Sequence, residues 1–443
     1  MDPLDLAAKL VRLARAKGAD AADAVWSESL SLSAQWRMGA LEQLDRAETI
    51  EVGLRAFLGK RQAIVSTSDL SPAALDALAE RAVAMAKTVP EDPWCGLADP
   101  DALCLGNPDL DLVDPQEPSP DSLIARARAC EEAARAVEGI TNSEGAQAGW
   151  SRSRMVIVGT NGMARLHAST GFSQSVAVVA GEGTAMERDY DHAVATHGSD
   201  LPAPELTGTR AGRRTVARLN PRKMPTQKVP VVFSPRKARS LIGHFAGAVN
   251  GAAVARGTSF LKDRLGTAVF AKGVTIIDDP LRPRGLRSHA ADGEGIASRE
   301  RALVEDGRLA SWLLDLRSAR QLGMESTGHA ARGVSAPPGP GASNLFLMPG
   351  ATPPETLIAD IKTGFYVTDL FGMGTNMLTG DYSRGAAGFW IENGQIAFPV
   401  SEVTVAGNLK DMFQNLVPAN DLSFLFGIDS PTVRIDGLTV AGA

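Results

Sequence analysis

Cysteine and histidine are scarce: the chain of 443 residues holds three Cys and six His. Cys95, Cys104 and Cys130 all lie in the first third and form no C-x-x-C pair. The sequence therefore encodes neither a disulfide scaffold nor a zinc ribbon, and a reducing, cytoplasmic setting is expected. None of the six His is followed by Glu. That removes the His-Glu-x-x-His helix, in which two imidazoles ligate a metal and the carboxylate serves as base. His192 and His197 stand five apart in a stretch read as strand, where an odd separation sends side chains to opposite faces and away from a shared metal.

An excess of positive charge is also missing. Lys plus Arg is 45 against 51 Asp plus Glu, a formal net charge of −6, so the chain lacks the basic footprint that phosphate backbones favour and nucleic acid is not an expected partner. No apolar run is long enough for a membrane. The charge-free stretch Ser240 to Ala255, bounded by Arg239 and Arg256, is too short and too polar to cross about 30 Å of hydrocarbon. The N-terminus opens Met1-Asp2-Pro3-Leu4-Asp5, with acids where a secretory signal needs bases, so no signal peptide is expected. Gly372-Met373-Gly374-Thr375-Asn376-Met377 lacks the last Gly of a dinucleotide loop, and neither G-K-[ST] nor G-x-S-x-G occurs.

What is present is punctuation typical of a sheet-rich protein. Leu4 to Lys17 places Leu6, Leu10, Val11 and Leu13 on one helical face with Gly18 beyond. Ser29 to Arg37 alternates as a strand, and Thr49 to Thr67 reads as two strands turning near Gly59-Lys60. Ser71-Pro72 supplies an N-cap and a Pro at the first helical position, for a helix through Ala86. Glu91 to Pro120 lacks periodicity and is expected to be irregular, whereas Asp121 to Val137 is helical with Cys130 as a small apolar filler. Asn161-Gly162, Asp306-Gly307 and Asn393-Gly394 each suit a hairpin turn with positive φ at both central residues. Antiparallel sheet is therefore the expected dominant architecture. After Pro230 a strand, Val231 to Phe233, leads into one long uncharged helix.

A boundary falls between Leu206 and Val229. There Arg210, Arg213, Arg214, Arg218, Arg222, Lys223 and Lys228 gather ahead of Pro230. Two readings remain for this 210–228 segment: a solvated helix face with a linker, or a local nucleic-acid patch without stacking aromatics.

Two clusters offer chemistry. Asp278, Asp279, Asp292 and Glu294 are oxygen donors with Arg282, Arg284 and Arg287 between them, which fits loop ion pairs or a hard-cation site. Gly364 to Asp411 contains Thr375, Asn376, Thr379, Asp381, Tyr382, Ser383 and Asn408. These are either turn residues satisfying the backbone or the lining of a cleft.

The runs SFLKDRLG from Ser259, VTIIDDP from Val274, Asp292 to Gly295, Val304 to Leu309, Ser326 to Gly328 and the motif Gly364 to Asp411 together resemble the TldD/PmbA family, on its PmbA (TldE) branch. The resemblance implies an α+β protein of two domains, residues 1–225 and 226–443, antiparallel-sheet-rich, with a large curved sheet in the second. It also implies a cytosolic zinc metalloprotease assembled from TldD and TldE subunits and acting on peptides and unfolded chains. An older label for the family is modulator of DNA gyrase. The TldD branch carries His-Glu-x-x-x-His on the helix after the boundary strand, with a late Cys. The matching run here is His244-Phe245-Ala246-Gly247-Ala248-Val249, so only His244 keeps a ligand type; Phe245 holds the base position and Val249 the second ligand position. No Cys follows Cys130.

No zinc is thus expected in this chain, and a TldD-type partner would supply it. His244 is expected to be a helix histidine bonded to a backbone group. The leading expectation is a non-catalytic subunit in a heterodimer, with a homodimer open to it alone. Thr375, Asn376, Asp381, Tyr382, Ser383 and Asn408 are the candidate peptide-binding residues, and an extended peptide would be held at a sheet edge. The alternatives are a regulatory interaction protein acting on DNA gyrase without proteolysis, or an enzyme using the carboxylate or polar cluster.

Overall fold

The structure, a computed structural model, describes residues 2–442. The first half begins with α1 (Pro3–Ala16), whose N-terminus is capped by Asp2 accepting from the Leu4 amide at 2.8 Å and whose Leu6, Leu10 and Val11 are buried. Four long strands and two shorter ones follow: β1 (Ala21–Arg37), β2 (Ala40–Leu58), β3 (Arg61–Thr67), β4 (Ile140–Gly159), β5 (Ala164–Ala180) and β6 (Glu187–Ala195). They form one antiparallel sheet in the order β3-β2-β1-β4-β5-β6. Between them lie α2 (Pro72–Thr88) and α3 (Pro120–Arg135), each opened by a capping Ser and a Pro. α4 (Pro204–Ala217) closes this half. Residues 91–119 are irregular apart from a single 3-10 turn at Pro100–Ala102, and Cys130 is fully buried in α3.

The second half starts with β7 (Gln227–Phe233), then α5 (Pro235–Ala248) and the short α6 (Gly251–Ala255). Small strands β8 (Ile276–Asp278), β9 (Arg301–Glu305) and β10 (Arg308–Leu309), helix α7 (Leu316–Leu322), strands β11 (Ala330–Ala331), β12 (Gly339–Pro340) and β13 (Leu345–Leu347), and helix α8 (Pro354–Ile358) come next. The chain ends with β14 (Thr363–Phe371), β15 (Asp381–Glu392), β16 (Gln395–Asn408), α9 (Leu409–Gln414), β17 (Leu416–Pro418), β18 (Ile428–Asp429) and β19 (Val433–Ala441). The larger sheet here runs β16-β15-β14-β7-β19-β17, and β16 pairs again with β19 at Thr404 to Ala406. That second pairing curls the sheet around α5, so the curved sheet expected in the second domain is present. β7 and β14 are parallel neighbours within it.

Three local expectations are corrected. The long uncharged helix is broken after Ala248, because the Asn250 side chain accepts the amides of Ala252 and Ala253 and caps a new helix. Asp306-Gly307 and Asn393-Gly394 have positive φ at both residues, but at Asn161-Gly162 only Gly162 does; the Asn161 side chain instead bonds Met163 N and Ala98 O. His197 lies beyond the end of β6, with its Nε2 2.9 Å from the Asp111 carbonyl.

In the helical part of the 210–228 segment Arg213 is exposed, and the other arginines are paired with carboxylates. Arg210 and Arg214 bind opposite oxygens of Asp191 at 2.7 and 2.8 Å. Arg218, side chain 9% exposed, faces Glu187, Asp189 and, from the other half of the chain, Asp369. Arg210 and Arg214 thus neutralise a carboxylate of β6, and Arg218 joins the two halves of the chain through Asp369.

Candidate functional site

α5 carries the residues singled out by the family motif. Its inward face is Ala238, Leu241, Ile242, Phe245 and Ala248, all fully buried. Phe245 meets Phe270 and Phe413 edge-on at 5.3 and 6.2 Å between ring centres, and Val249 lies in the same core. Of the three motif positions, only His244 turns out of this core. Its Nε2 sits 3.4 Å from the Thr375 hydroxyl and its ring meets Tyr382 edge-on at 6.0 Å. The backbone partner expected for His244 is therefore replaced by a side chain. Burial, with Arg384 nearby, lowers the His244 pKa, which favours a neutral imidazole.

This donor set does not fit zinc. Catalytic zinc takes three protein ligands and an open position, whereas Phe and Val offer no lone pair and His244 faces only a hydroxyl. Among the described residues, no group of three or more His, Cys, Asp or Glu is arranged to hold a metal ion.

The polar cluster builds a turn beside His244. The Asn376 side chain accepts the Leu378 and Thr379 amides, the Thr379 hydroxyl donates to Asp381 at 2.6 Å, and Asn408 donates to Asp381 at 3.0 Å. Asn408 also caps α9 by accepting from Lys410 N. Gly374 is required here: a Cβ would lie 1.7 Å from the Ser383 carbonyl, whose residue donates its amide back to Gly374 O. Tyr382 is buried, and that burial pushes its hydroxyl up to about 12. Thr375 pairs with Tyr382 through an isolated bridge, while Asn376, Asp381 and Ser383 are exposed. The structure thus brings these residues together, with most of their polar groups engaged in the turn.

The carboxylate cluster is structural in the same sense. Asp278 accepts from the Ser343 amide and hydroxyl, and Asp292 accepts the amides of Glu294, Ile296 and Ala330.

The open surface lies elsewhere, along β6. Within its sheet β6 pairs with β5 alone. A cavity of about 620 Å³ runs along it, lined in unbroken succession by Asp191 to Thr196 and walled opposite by Arg282 to Leu286 and Phe424 to Gly427. A second cavity of about 560 Å³ continues between Arg213, Arg218, Tyr366 and Phe426. A third, about 210 Å³, joins β6 to α5 and β15 through Tyr190, His192, Arg239 and Arg384. None of the six residues proposed from the sequence lines these three cavities. One signal in the sequence pointed there: Arg236 and Lys237 sit in the first turn of α5 without an acid, against the helix dipole.

Three family models match the chain: PmbA/TldA metallopeptidase domain 1 over residues 22–86, the central domain over 113–219 and the C-terminal domain over 226–442. Metalloprotease PmbA of Escherichia coli O157:H7 is 39% identical over 425 residues, covering 96% of this chain and 92% of that protein. A Metalloprotease PmbA homolog of Haemophilus influenzae is 36% identical over 435 residues, covering 98% and 94%. Among solved structures, a candidate modulator of DNA gyrase from Bacteroides thetaiotaomicron superposes with a TM-score of 0.90 at 28% identity, covering 99% and 98% of the two chains. TldE from Thermococcus kodakarensis shares the fold, with a TM-score of 0.87 at 21% identity over 99% and 100%. Over nearly its whole length, then, the chain belongs to the PmbA/TldD metallopeptidase family, on the PmbA branch.

Proposed function

We propose that this chain is the non-catalytic, peptide-holding subunit of a TldD/TldE-type zinc metalloprotease in the cytoplasm. The observation that carries the reading is the fate of the α5 motif: the base and second-ligand positions, Phe245 and Val249, are fully buried core residues. A TldD-type partner supplies the zinc and the general base in this account. The role left to this chain is to present an extended peptide or unfolded segment, and the open rim of β6 along its cavity is suited to that. Added strands bind through main-chain hydrogen bonds and so tolerate varied sequences.

The test is to purify the chain alone and together with a TldD-type partner and follow cleavage of an unfolded reporter peptide. Cleavage is expected only from the pair, and cleavage by the zinc-stripped single chain overturns the proposal. The gyrase-regulating alternative draws support from the description of one structural relative, and a topoisomerase assay without any TldD-type partner separates it.

A further inference from the structure

Where β6 meets α5, four cationic side chains and an imidazole surround the 210 Å³ cavity: Arg236, Lys237, Arg239, Arg384 and His192, beside Tyr190. The nearby carboxylates are already engaged. Asp189 binds Arg236 at 3.1 Å, Lys237 binds Asp369 at 2.7 Å, and Asp191 binds Arg210 and Arg214. Asp429 accepts the amides of Leu425, Phe426 and Gly427. Among the described residues neither Arg239 nor Arg384 forms an ion pair, and the Nε atoms of Arg236 and Arg384 are buried without a hydrogen-bond partner.

The cations are also held in place. Arg239 lies over the Phe426 ring at 4.1 Å and Arg236 over Tyr190 at 4.3 Å, and Phe426 in turn packs on His192 at 4.6 Å. Stacking fixes the Arg239 guanidinium plane and leaves its N–H edge for an acceptor, whereas Arg236 already donates to the Tyr190 carbonyl at 3.0 Å and to Asp189 at 3.1 Å. Burial pulls the Arg239 pKa below its usual range, with Asp429 opposing. Concentrating positive charge in a half-buried pocket is costly without a counter-charge. A planar carboxylate matches two guanidinium forks in both charge and shape.

We propose that this pocket binds the C-terminal carboxylate of a peptide, and so anchors the end of a chain lying along the β6 rim. This rests on the peptide-holding reading above and adds to it a substrate class: segments with a free C-terminus. The experiment is calorimetric titration of the full chain with a short acetylated oligoalanine bearing a free carboxylate and with its C-terminal amide. The free acid is expected to bind roughly tenfold more tightly, the worth of one charged hydrogen bond, and Arg239→Gln or Arg384→Gln should erase that difference.

Equal binding of acid and amide to the unmodified chain overturns the carboxylate pocket while leaving the peptide-holding role intact. Binding of neither overturns both. Displacement of the acid by inorganic phosphate at equal concentration assigns the pocket to free anions and overturns the peptide assignment. The acid-to-amide comparison needs no variant, so it decides even if an arginine substitution prevents folding.

Discussion

Arg218 at the end of α4 and Asp369 in β14 face each other at 3.3 Å, one from each half of the chain, and Lys237 reaches the other Asp369 oxygen at 2.7 Å. Burial alone would raise the Asp369 pKa; the hydrogen bond from Lys237 and the charges of Lys237 and Arg218 outweigh it, and the carboxyl lies below its ordinary value.

Asp369→Asn should therefore lower the unfolding free energy by about 3 kcal/mol at neutral pH, because the largely buried Lys237 loses its carboxylate partner and Arg218 loses one of three. A depressed carboxyl contributes its stability above the unfolded pKa, about 3.9, and loses it as pH falls through the lower folded value. The gap between parent and variant in urea titrations should be widest near pH 7 and close below about pH 4. A gap that widens in acid would contradict the assignment.

Glu294 titrates in the opposite sense. Burial pushes its carboxyl from 4.5 up to about 8, against the opposing charge of Arg55. The folded state holds the proton more tightly than the unfolded one, so the contribution is complete below the unfolded pKa and drains away as pH rises through about 8. Glu294→Gln keeps an acceptor for the Leu316 amide, which Glu294 binds at 2.8 Å. The variant should melt like the parent near pH 4 and above it near pH 9. Lower stability of the variant at alkaline pH would mean that Glu294 is ionised and paired.

Phe245→Ala should reduce stability by about 3–5 kcal/mol, the usual cost of emptying a buried aromatic site. Peptide affinity of the folded fraction should not change, since the ring points into the core against Phe270 and Phe413. Denaturation together with calorimetry on the same preparation checks both halves of the statement.

Asn408→Ala removes the cap of α9 and the donor to Asp381. About 1 kcal/mol of stability should be lost, with oligoalanine affinity unchanged. A large loss of affinity would return the Thr375 to Asn408 cluster to the binding surface.

Much of the fold was legible because its signals are local. Ser71-Pro72 starts α2 where the sequence places it, since one hydroxyl and one ring act within a single turn. The β1–β2 turn lacks a local signal because Met38, φ 50°, occupies a left-handed position that usually goes to Asn or Gly. Asn250 was hidden inside a charge-free run, although an Asx side chain can end one helix and start another. The motif on α5 was readable residue by residue. The arginine pocket was not, because Tyr190, Arg239 and Arg384 meet only when β6, α5 and β15 are brought together. The partners of Arg210 to Arg218 were likewise separated in sequence: Asp191, Glu187 and Asp189 come from β6, and Asp369 from the other half of the chain.

The repeated pairing of β16 with β19 has a meaning for traffic at the surface. A sheet with a bare rim will template any extended strand, including a neighbouring copy. By rolling up, the C-terminal sheet withdraws part of its own rim from such encounters. The rim of β6 instead lies in a recess bordered by cations. A flat edge from another folded molecule has poor access to a recess, and a loose chain end has good access. On the peptide-holding proposal, the architecture would sort visitors by their state of folding before any side chain is read.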